Sequence, residues 1–450
     1  MSRGSCYRLM VLAIAASLLV LAGCGGSGTA TSGGTSQVTV SIGVGSSTAA
    51  PGSAAPRAIP PSVALVVFTI SGEGMETVVR TVATAGMTQV VETFSIPKGL
   101  ARTFRVEAYD GAGILRYLSV STFDILDNVL TLPIVMSIAP GNPGLNTWAE
   151  VNNPTSAPNL SGMAFGGGSF VAVGESDGAI LVSTDNGATW TNPATLSPPS
   201  NEVNDIAYGD GTFVAVGGLY TPTSYVGPDI PTVYAASQDN LALWTLRADG
   251  IVSVLRGVAF GGGTFVAVGN GGAIYWSDNV AAGWTLVNPP PVAGATLFDV
   301  AYGNGTFVAV GDNALLTSGD GGRNWQARDA GGLSYSGVGY ASGVFLALAY
   351  DPVYDVIQPY YSMDEGATWT ATVYQFTPID GSIILTSGGG QFVVVNSYGE
   401  IWLPSAPVTD PASTWAPVVN LPWALTCGTA GNGRYVVGGY SSYIYRSDQL

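Results

Sequence analysis

Gly162-Met163-Ala164-Phe165, Phe170-Val171-Ala172-Val173-Gly174, Ala179-Ile180-Leu181-Val182-Ser183 and Trp190-Thr191 follow one another and form a single unit. Each piece is short, apolar or alternating, and bounded by glycine or by small polar residues. That is the pattern of four strands joined by tight turns. The unit recurs. Its leading aromatic, Phe170, returns as Phe213, Phe265, Phe307, Phe345, Phe392 and Tyr435, and a tryptophan precedes each, at Trp148, Trp190, Trp244, Trp284, Trp325, Trp369 and Trp415.

Self-similarity at a period of about 40–45 residues, with four strands per unit, points to a β-propeller, one blade per repeat. The expected fold class is all-β: a seven-bladed β-propeller over residues 141–450. The last repeat reads Tyr445-Arg446-Ser447-Asp448-Gln449-Leu450 and stops after a third strand. Asn146-Thr147-Trp148-Ala149-Glu150 precedes the first blade and is expected to supply the missing fourth strand, so that blade 7 closes the ring and no sheet edge is left open.

Between the third and fourth strands of blade 1 stands Ser183-Thr184-Asp185-Asn186-Gly187-Ala188-Thr189-Trp190. Ser362-Met363-Asp364-Glu365-Gly366-Ala367-Thr368-Trp369 repeats it, and Ser318-Gly319-Asp320-Gly321-Gly322-Arg323-Asn324-Trp325 nearly so. These segments resemble the Asp-box (BNR) repeat of sialidases and many other propellers. Asp accepts backbone amides of its own turn, Gly takes the left-handed conformation and Trp covers a large apolar area. Ser183, Asp185, Gly187, Trp190, Ser318, Asp320, Gly322, Trp325, Ser362, Asp364, Gly366 and Trp369 are therefore read as structural.

The sialidase likeness implies a three-arginine clamp, a Tyr nucleophile, a Glu and an acid/base Asp. The arginines available are Arg247, Arg256, Arg323, Arg328, Arg434 and Arg446, of which only Arg256 falls on an inner strand. The resemblance covers the scaffold and stops short of that site. Photosystem assembly factors are similar in repeat style, but this chain, with a formal charge of −16, lacks their basic surface. A glycan-active hydrolase of the Asp-box propeller type remains the alternative. It would need two facing carboxylates, and Asp205 and Asp299, at the start of the inner strands of blades 2 and 4, are the repeat-matched acids near the channel. They are expected to be solvated strand ends.

The N-terminus carries Arg3 and Arg8, an apolar run from Leu9 to Leu21, and Leu21-Ala22-Gly23-Cys24. A basic start, a short apolar run and small residues make a secretory signal, too short for a good spanning helix. Leu-Ala-Gly-Cys resembles the lipobox of bacterial lipoproteins, which implies a signal peptide over 1–23 and a lipidated Cys24 (palmitate among its chains), followed by a flexible tether to residue 36. Gly25 does not match the aspartate of inner-membrane retention. The expected location is the bacterial cell envelope, lipid-anchored, at the outer membrane.

Residues 37–140 carry alternating runs at Val38–Ile42, Val63–Ile70, Thr77–Ala83, Gln89–Ser95, Ala101–Ala108, Ile114–Val120 and Val129–Ile138. Strands at such spacing suggest a small β-sandwich. Ile96-Pro97-Lys98-Gly99, Phe104-Arg105-Val106-Glu107-Ala108-Tyr109-Asp110 and Gly113-Ile114-Leu115 resemble Ig-like or transthyretin-like domains of bacterial lipoproteins, which implies a spacer.

Histidine is absent, which excludes His-based hydrolysis and His-ligated zinc. Lys98 is the single lysine, so nucleic acid is not an expected partner. No catalytic residue, metal or cofactor is expected. The repeat is irregular in two second-to-third-strand connections: blade 2 inserts residues around Tyr220, Tyr225 and Asp229, and blade 5 carries Tyr350, Asp351, Tyr354 and Asp355. Aromatic, acid-containing loops on one face of a propeller suit an unidentified protein or polysaccharide partner. Non-catalytic binding or scaffolding at the envelope is the expected function.

Overall fold

The computed structural model describes residues 35–44, 63–138 and 148–448, apart from 73, 85–86, 88–89, 112–114, 128, 152–158, 175–178, 197–201, 220–229, 377–382, 389, 406 and 411–412. The expected signal peptide, Cys24, the tether as far as residue 34, Tyr220, Tyr225 and Asp229 lie outside the described residues, whereas Thr35 and Ser36, expected in the tether, begin the first strand.

The N-terminal module holds seven strands: β1 (Thr35–Val44), β2 (Val63–Ser71), β3 (Val78–Ala83), β4 (Val90–Pro97), β5 (Gly99–Asp110), β6 (Leu115–Ile125) and β7 (Val129–Ile138). They hydrogen-bond in the order β3-β2-β5-β6-β7-β1-β4. Among the described residues, the β6–β7 junction is made by the pairs Tyr117↔Ile138 and Leu118↔Ser137. Alternation along β1, β2, β4 and β5 puts Val38, Val40, Phe68, Ile70, Phe94, Ile96, Phe104 and Val106 on buried sides. Phe68 of β2 meets Phe94 of β4 with ring centroids 5.2 Å apart, so the two ends of this sheet order share one core.

The rest of the described chain forms seven four-stranded antiparallel sheets, numbered here as blades 1–7 in chain order. The first strands are Leu160–Gly166, Glu202–Gly209, Leu255–Gly261, Leu297–Gly303, Ser334–Ala341, Ile383–Gly388 and Leu425–Gly431. Each packs against the first strand of the next blade, and the seventh packs against the first, closing a cycle. In blade 7 the outer position is taken by Trp148–Val151, with Ile444↔Val151 and Ser447↔Trp148 in register. Both ends of the repeat region therefore meet in one sheet.

The second strands are the core. Ser169–Gly174, Thr264–Gly269, Thr306–Gly311 and Gln391–Asn396 are buried along their whole length, because a blade sandwiched between two others has no solvent face. Phe170, Phe213, Phe307 and Phe345 are essentially inaccessible, each stabilising by about 1.5–3 kcal/mol through burial. The glycine ending a first strand is required by close approach. A Cβ at Gly261 would overlap the Tyr302 ring of the next blade, and the same holds for Gly166 under Tyr208, Gly209 under Phe260 and Gly303 under Tyr340.

Candidate functional site

Connections between second and third strands, and those between blades, open on one face, called here the loop face. The Ser-x-Asp segments and first-to-second turns open on the other. The three positions that could carry chemistry are the inner-strand acids, the Ser-x-Asp turns and the loop face.

Asp205 and Asp299 are not solvated strand ends. The first strands of blades 2 and 4 each carry a β-bulge near the start, and both acids sit there. Asp205 accepts the Ile206 amide at 2.8 Å through Oδ1 and, across the blade seam, the Val258 amide at 2.8 Å through Oδ2. Asp299 does the same with Val300 at 2.7 Å and Val338 at 2.8 Å. Glycines flank them: a Cβ at Gly162 or Gly257 would come within 2.9 Å of the Cα of Asp205 or Asp299. Burial pushes Asp205 up to about 8, with the Asp299 charge adding, and Asp299 up to about 6, while the amide bonds oppose in both. Every carboxylate oxygen is engaged by backbone, so the pair braces seams and is not set out for general acid–base work on a sugar.

The Ser-x-Asp turns are local and repetitive. In blade 1, Ser183 Oγ donates to Asp185 Oδ1 at 2.8 Å and accepts the Gly187 amide at 2.9 Å. Asp185 also accepts the Thr189 amide and hydroxyl, at 2.9 and 2.6 Å. Trp190 Nε1 donates to the Gly187 carbonyl. Ser318, Asp320, Gly322, Asn324 and Trp325 reproduce the set, as do Ser362, Asp364, Gly366, Thr368 and Trp369. Gly187, Gly322 and Gly366 are left-handed. The Thr189 hydroxyl above all holds the Asp185 carboxyl down at about 2. Each turn reaches back to the previous blade: Gly187 faces Val436, Gly322 faces Val266 and Gly366 faces Val308. Blade 3 lacks the motif's glycine spacing, and there the buried Trp284 Nε1 finds no partner.

On the loop face of blade 5, Asp351 Oδ1 accepts the Val353 and Tyr354 amides, and the Tyr350 hydroxyl donates to Asp355 at 2.9 Å. These three side chains fold the connection, whereas Tyr354 stands 73% exposed. Tyr360 and Tyr361 belong to the third strand, Val356–Ser362.

The exposed aromatics of the ring share one face. Phe298, Tyr350, Tyr354, Tyr398, Trp423 and Tyr440 are the exposed aromatic residues among its described residues, and all lie at loop-face ends of blades 4–7. Trp423 stacks on Tyr443 with centroids 4.3 Å apart and planes 8° apart. Beside them, at the seam of blades 5 and 6, is a cavity of about 270 Å³ lined by Tyr374, Phe376, Trp402, Asn396 and Glu400 among others. Sequence reasoning missed this cluster. Among the described residues no group of His, Cys, Asp or Glu could hold a metal, and no helix is long and apolar enough to cross a membrane.

Solved structures with this architecture exist. YCF48 bound to D1 peptide is 16% identical with a TM-score of 0.51, over 67% of this chain and 97% of that one. A catalytically inactive virginiamycin B lyase from Staphylococcus aureus, solved with quinupristin, is 12% identical with a TM-score of 0.51, over 68% and 99%. The fold is a β-propeller. No family model matches the sequence, and no curated protein matches it. The lyase was inactivated by replacing a histidine, a residue type absent from this chain. The propeller's arginines are dispersed: Arg256 bonds Asn270, Arg323 pairs with Asp278, Arg328 bonds Thr317 and Arg434 bonds the Ser447 carbonyl. They form no clamp.

Proposed function

We propose that this chain is a non-catalytic binding module of the bacterial cell envelope: a lipid anchor at Cys24, a tether, a β-sandwich spacer and a seven-bladed Asp-box propeller that engages a protein partner through its loop face. The observation that carries this reading is the collection, on that face, of all six aromatics exposed among the described residues of the propeller. Rigid aromatic rings supply contact area at small entropic cost and dominate binding energy at interfaces. The opposite face presents, in blades 1, 4 and 5, turns whose Ser and Asp side chains are already hydrogen-bonded. A propeller of like fold, YCF48, has been solved with a peptide, which supports a protein partner over a glycan. Hydrolysis is disfavoured because Asp205 and Asp299 spend their oxygens on backbone amides.

The test is site-specific photocrosslinking in the source cells. A photoreactive residue at Tyr354 or Tyr440 is expected to capture one defined protein, and the same residue at Met363 on the turn face is not. Equal capture from both faces would remove the reading. The anchor is tested separately by palmitate labelling, expected to vanish in Cys24→Ser.

A further inference from the structure

The cavity between blades 5 and 6 has walls of a particular kind. Tyr374 and Phe376, in the connection entering blade 6, and Trp402 of its third strand stand at steep mutual angles. Tyr374 and Phe376 are 5.1 Å apart at 74°, Phe376 and Trp402 5.8 Å at 86°, and Tyr374 and Trp402 6.4 Å at 50°. Rings so arranged make a corner and not a stack. Phe376 is its buried floor, backed by Trp415 at 5.5 Å. Tyr374 and Trp402 are partly exposed sides.

A carboxylate completes the corner. Glu400 lines the same cavity and is fixed through Oε2, which accepts Asn396 Nδ2 at 2.8 Å and Trp402 Nε1 at 3.2 Å. Asn396 Oδ1 in turn accepts the Glu400 amide at 3.0 Å. These bonds hold the side chain in place and fall on one oxygen, so among the described residues Oε1 is left for a guest. Among the described residues, no lysine or arginine lines the cavity.

The same chain shows what such a set accepts. At the seam of blades 3 and 4, the Arg323 guanidinium lies 4.4 Å from the Trp276 ring centroid and pairs with Asp278 at 2.7 Å. Indole, carboxylate and cation are there satisfied internally. At the seam of blades 5 and 6, indole and carboxylate are present without the cation. Aromatic faces attract cations through their quadrupole, and desolvated quaternary ammonium is the cation such cages suit best.

We propose that the pocket of Tyr374, Phe376, Trp402 and Glu400 binds an alkylammonium head, the cationic end of a lysine side chain or a quaternary ammonium group. It opens on the loop face, so the inference names a chemical element of the partner and rests on that reading for the partner's placement. A volume of about 270 Å³ holds one such head and a short stem.

The experiment is calorimetric titration of the full chain in non-ionic detergent with three small probes. Tetramethylammonium and Nα-acetyl-lysine methylamide carry the charge; 3,3-dimethyl-1-butanol has the shape of a quaternary ammonium without it. At least one cation is expected to saturate a single site with Kd on the order of 1 mM, with the neutral probe at least tenfold weaker. Tighter binding of the lysine probe assigns the guest to a protein side chain, and tighter binding of tetramethylammonium to a quaternary head. Trp402→Leu and Glu400→Gln are each expected to weaken binding at least fivefold. Equal binding of the neutral probe, or no saturation by either cation at ten times that concentration, overturns the proposal with wild-type protein alone. Crosslinking from Tyr354 is independent of this result, so a failed pocket and a failed face are told apart.

Discussion

Asp299 reaches across a blade seam: its Oδ2 accepts the Val338 amide at 2.8 Å while its Oδ1 holds the Val300 amide at 2.7 Å. Asp205 makes the matching pair of bonds at the seam of blades 2 and 3. Removing either side chain leaves two inner-strand amides without an acceptor, and each such group costs about 1–3 kcal/mol. Asp299→Ala is expected to destabilise the propeller by about 2–4 kcal/mol in denaturant unfolding. A loss below about 0.5 kcal/mol, as at an ordinary surface site, would show that the brace carries no weight.

The same two acids set a pH dependence. Their folded pKa values, about 8 for Asp205 and about 6 for Asp299, lie above the ordinary carboxylate value because the channel wall disfavours charge. A raised acid contributes stability that is fully present below about 4 and is lost as pH rises through the folded value. Unfolding midpoints are expected to fall between pH 4 and 8. Asp205→Asn should flatten the part above pH 6, and an unchanged slope in that variant would assign the dependence elsewhere.

Asp185 has the opposite sign. Its folded value of about 2 lies below the ordinary one because the Thr189 hydroxyl and nearby amides favour the carboxylate. That contribution is present above about 4 and is lost as pH falls toward 2. The turn is solvent-exposed, so the effect is small. Asp185→Asn is expected to lose its destabilisation relative to wild type in unfolding series carried from pH 5 to pH 2.

The repeat made much of this legible. Some strands read from β-alternation fall inside observed ones, Val38–Ile42 inside Thr35–Val44 and Val63–Ile70 inside Val63–Ser71. Those expected from Thr77, Gln89 and Ile114 are observed from Val78, Val90 and Leu115. The pairing of Trp148–Val151 with Ile444–Ser447 follows from a repeat lacking its fourth strand at one end. Asp205 and Asp299 were misread because the partner amides lie 53 and 39 residues away, in the next repeat, where no local pattern points back. The aromatic corner was missed for a related reason. Trp402 occupies a register position held by Leu181, Leu316 and Tyr275 in other blades, where the side chain is core. Only the neighbouring Tyr374–Phe376 segment, joined to Ile357 by an isolated bridge, turns that position into a pocket wall.

Gly261 and Tyr302 offer a test of the seam packing itself. A Cβ at Gly261 meets the Tyr302 ring and has nowhere to go, since the ring also packs on Phe307 at 4.7 Å. Gly261→Ala is expected to cost about 1–3 kcal/mol by overpacking. Tyr302→Ala removes the obstacle, so the double variant should be more stable than the sum of the single losses predicts. Additive losses would mean that the methyl is accommodated by backbone movement.

The buried thiol is expected to be inert. Cys427 lies on the first strand of blade 7, 3% exposed, with burial pushing it up to about 12. Thiolate is the reacting form, so maleimide labelling of Cys427 in the folded chain at pH 7 should be negligible over hours and rapid in denaturant. The exposed aromatics supply the contrast that separates binding from folding. Tyr354 is 73% exposed and Tyr440 46% exposed, so truncation of either touches little of the core. Tyr354→Ala and Tyr440→Ala are expected to shift stability by less than about 0.5 kcal/mol, yet to lower partner affinity at least tenfold, about 1.4 kcal/mol each. Stability and affinity falling together would make these rings structural, like the Ser-x-Asp tryptophans on the other face. Affinity falling alone marks the loop face as the working surface.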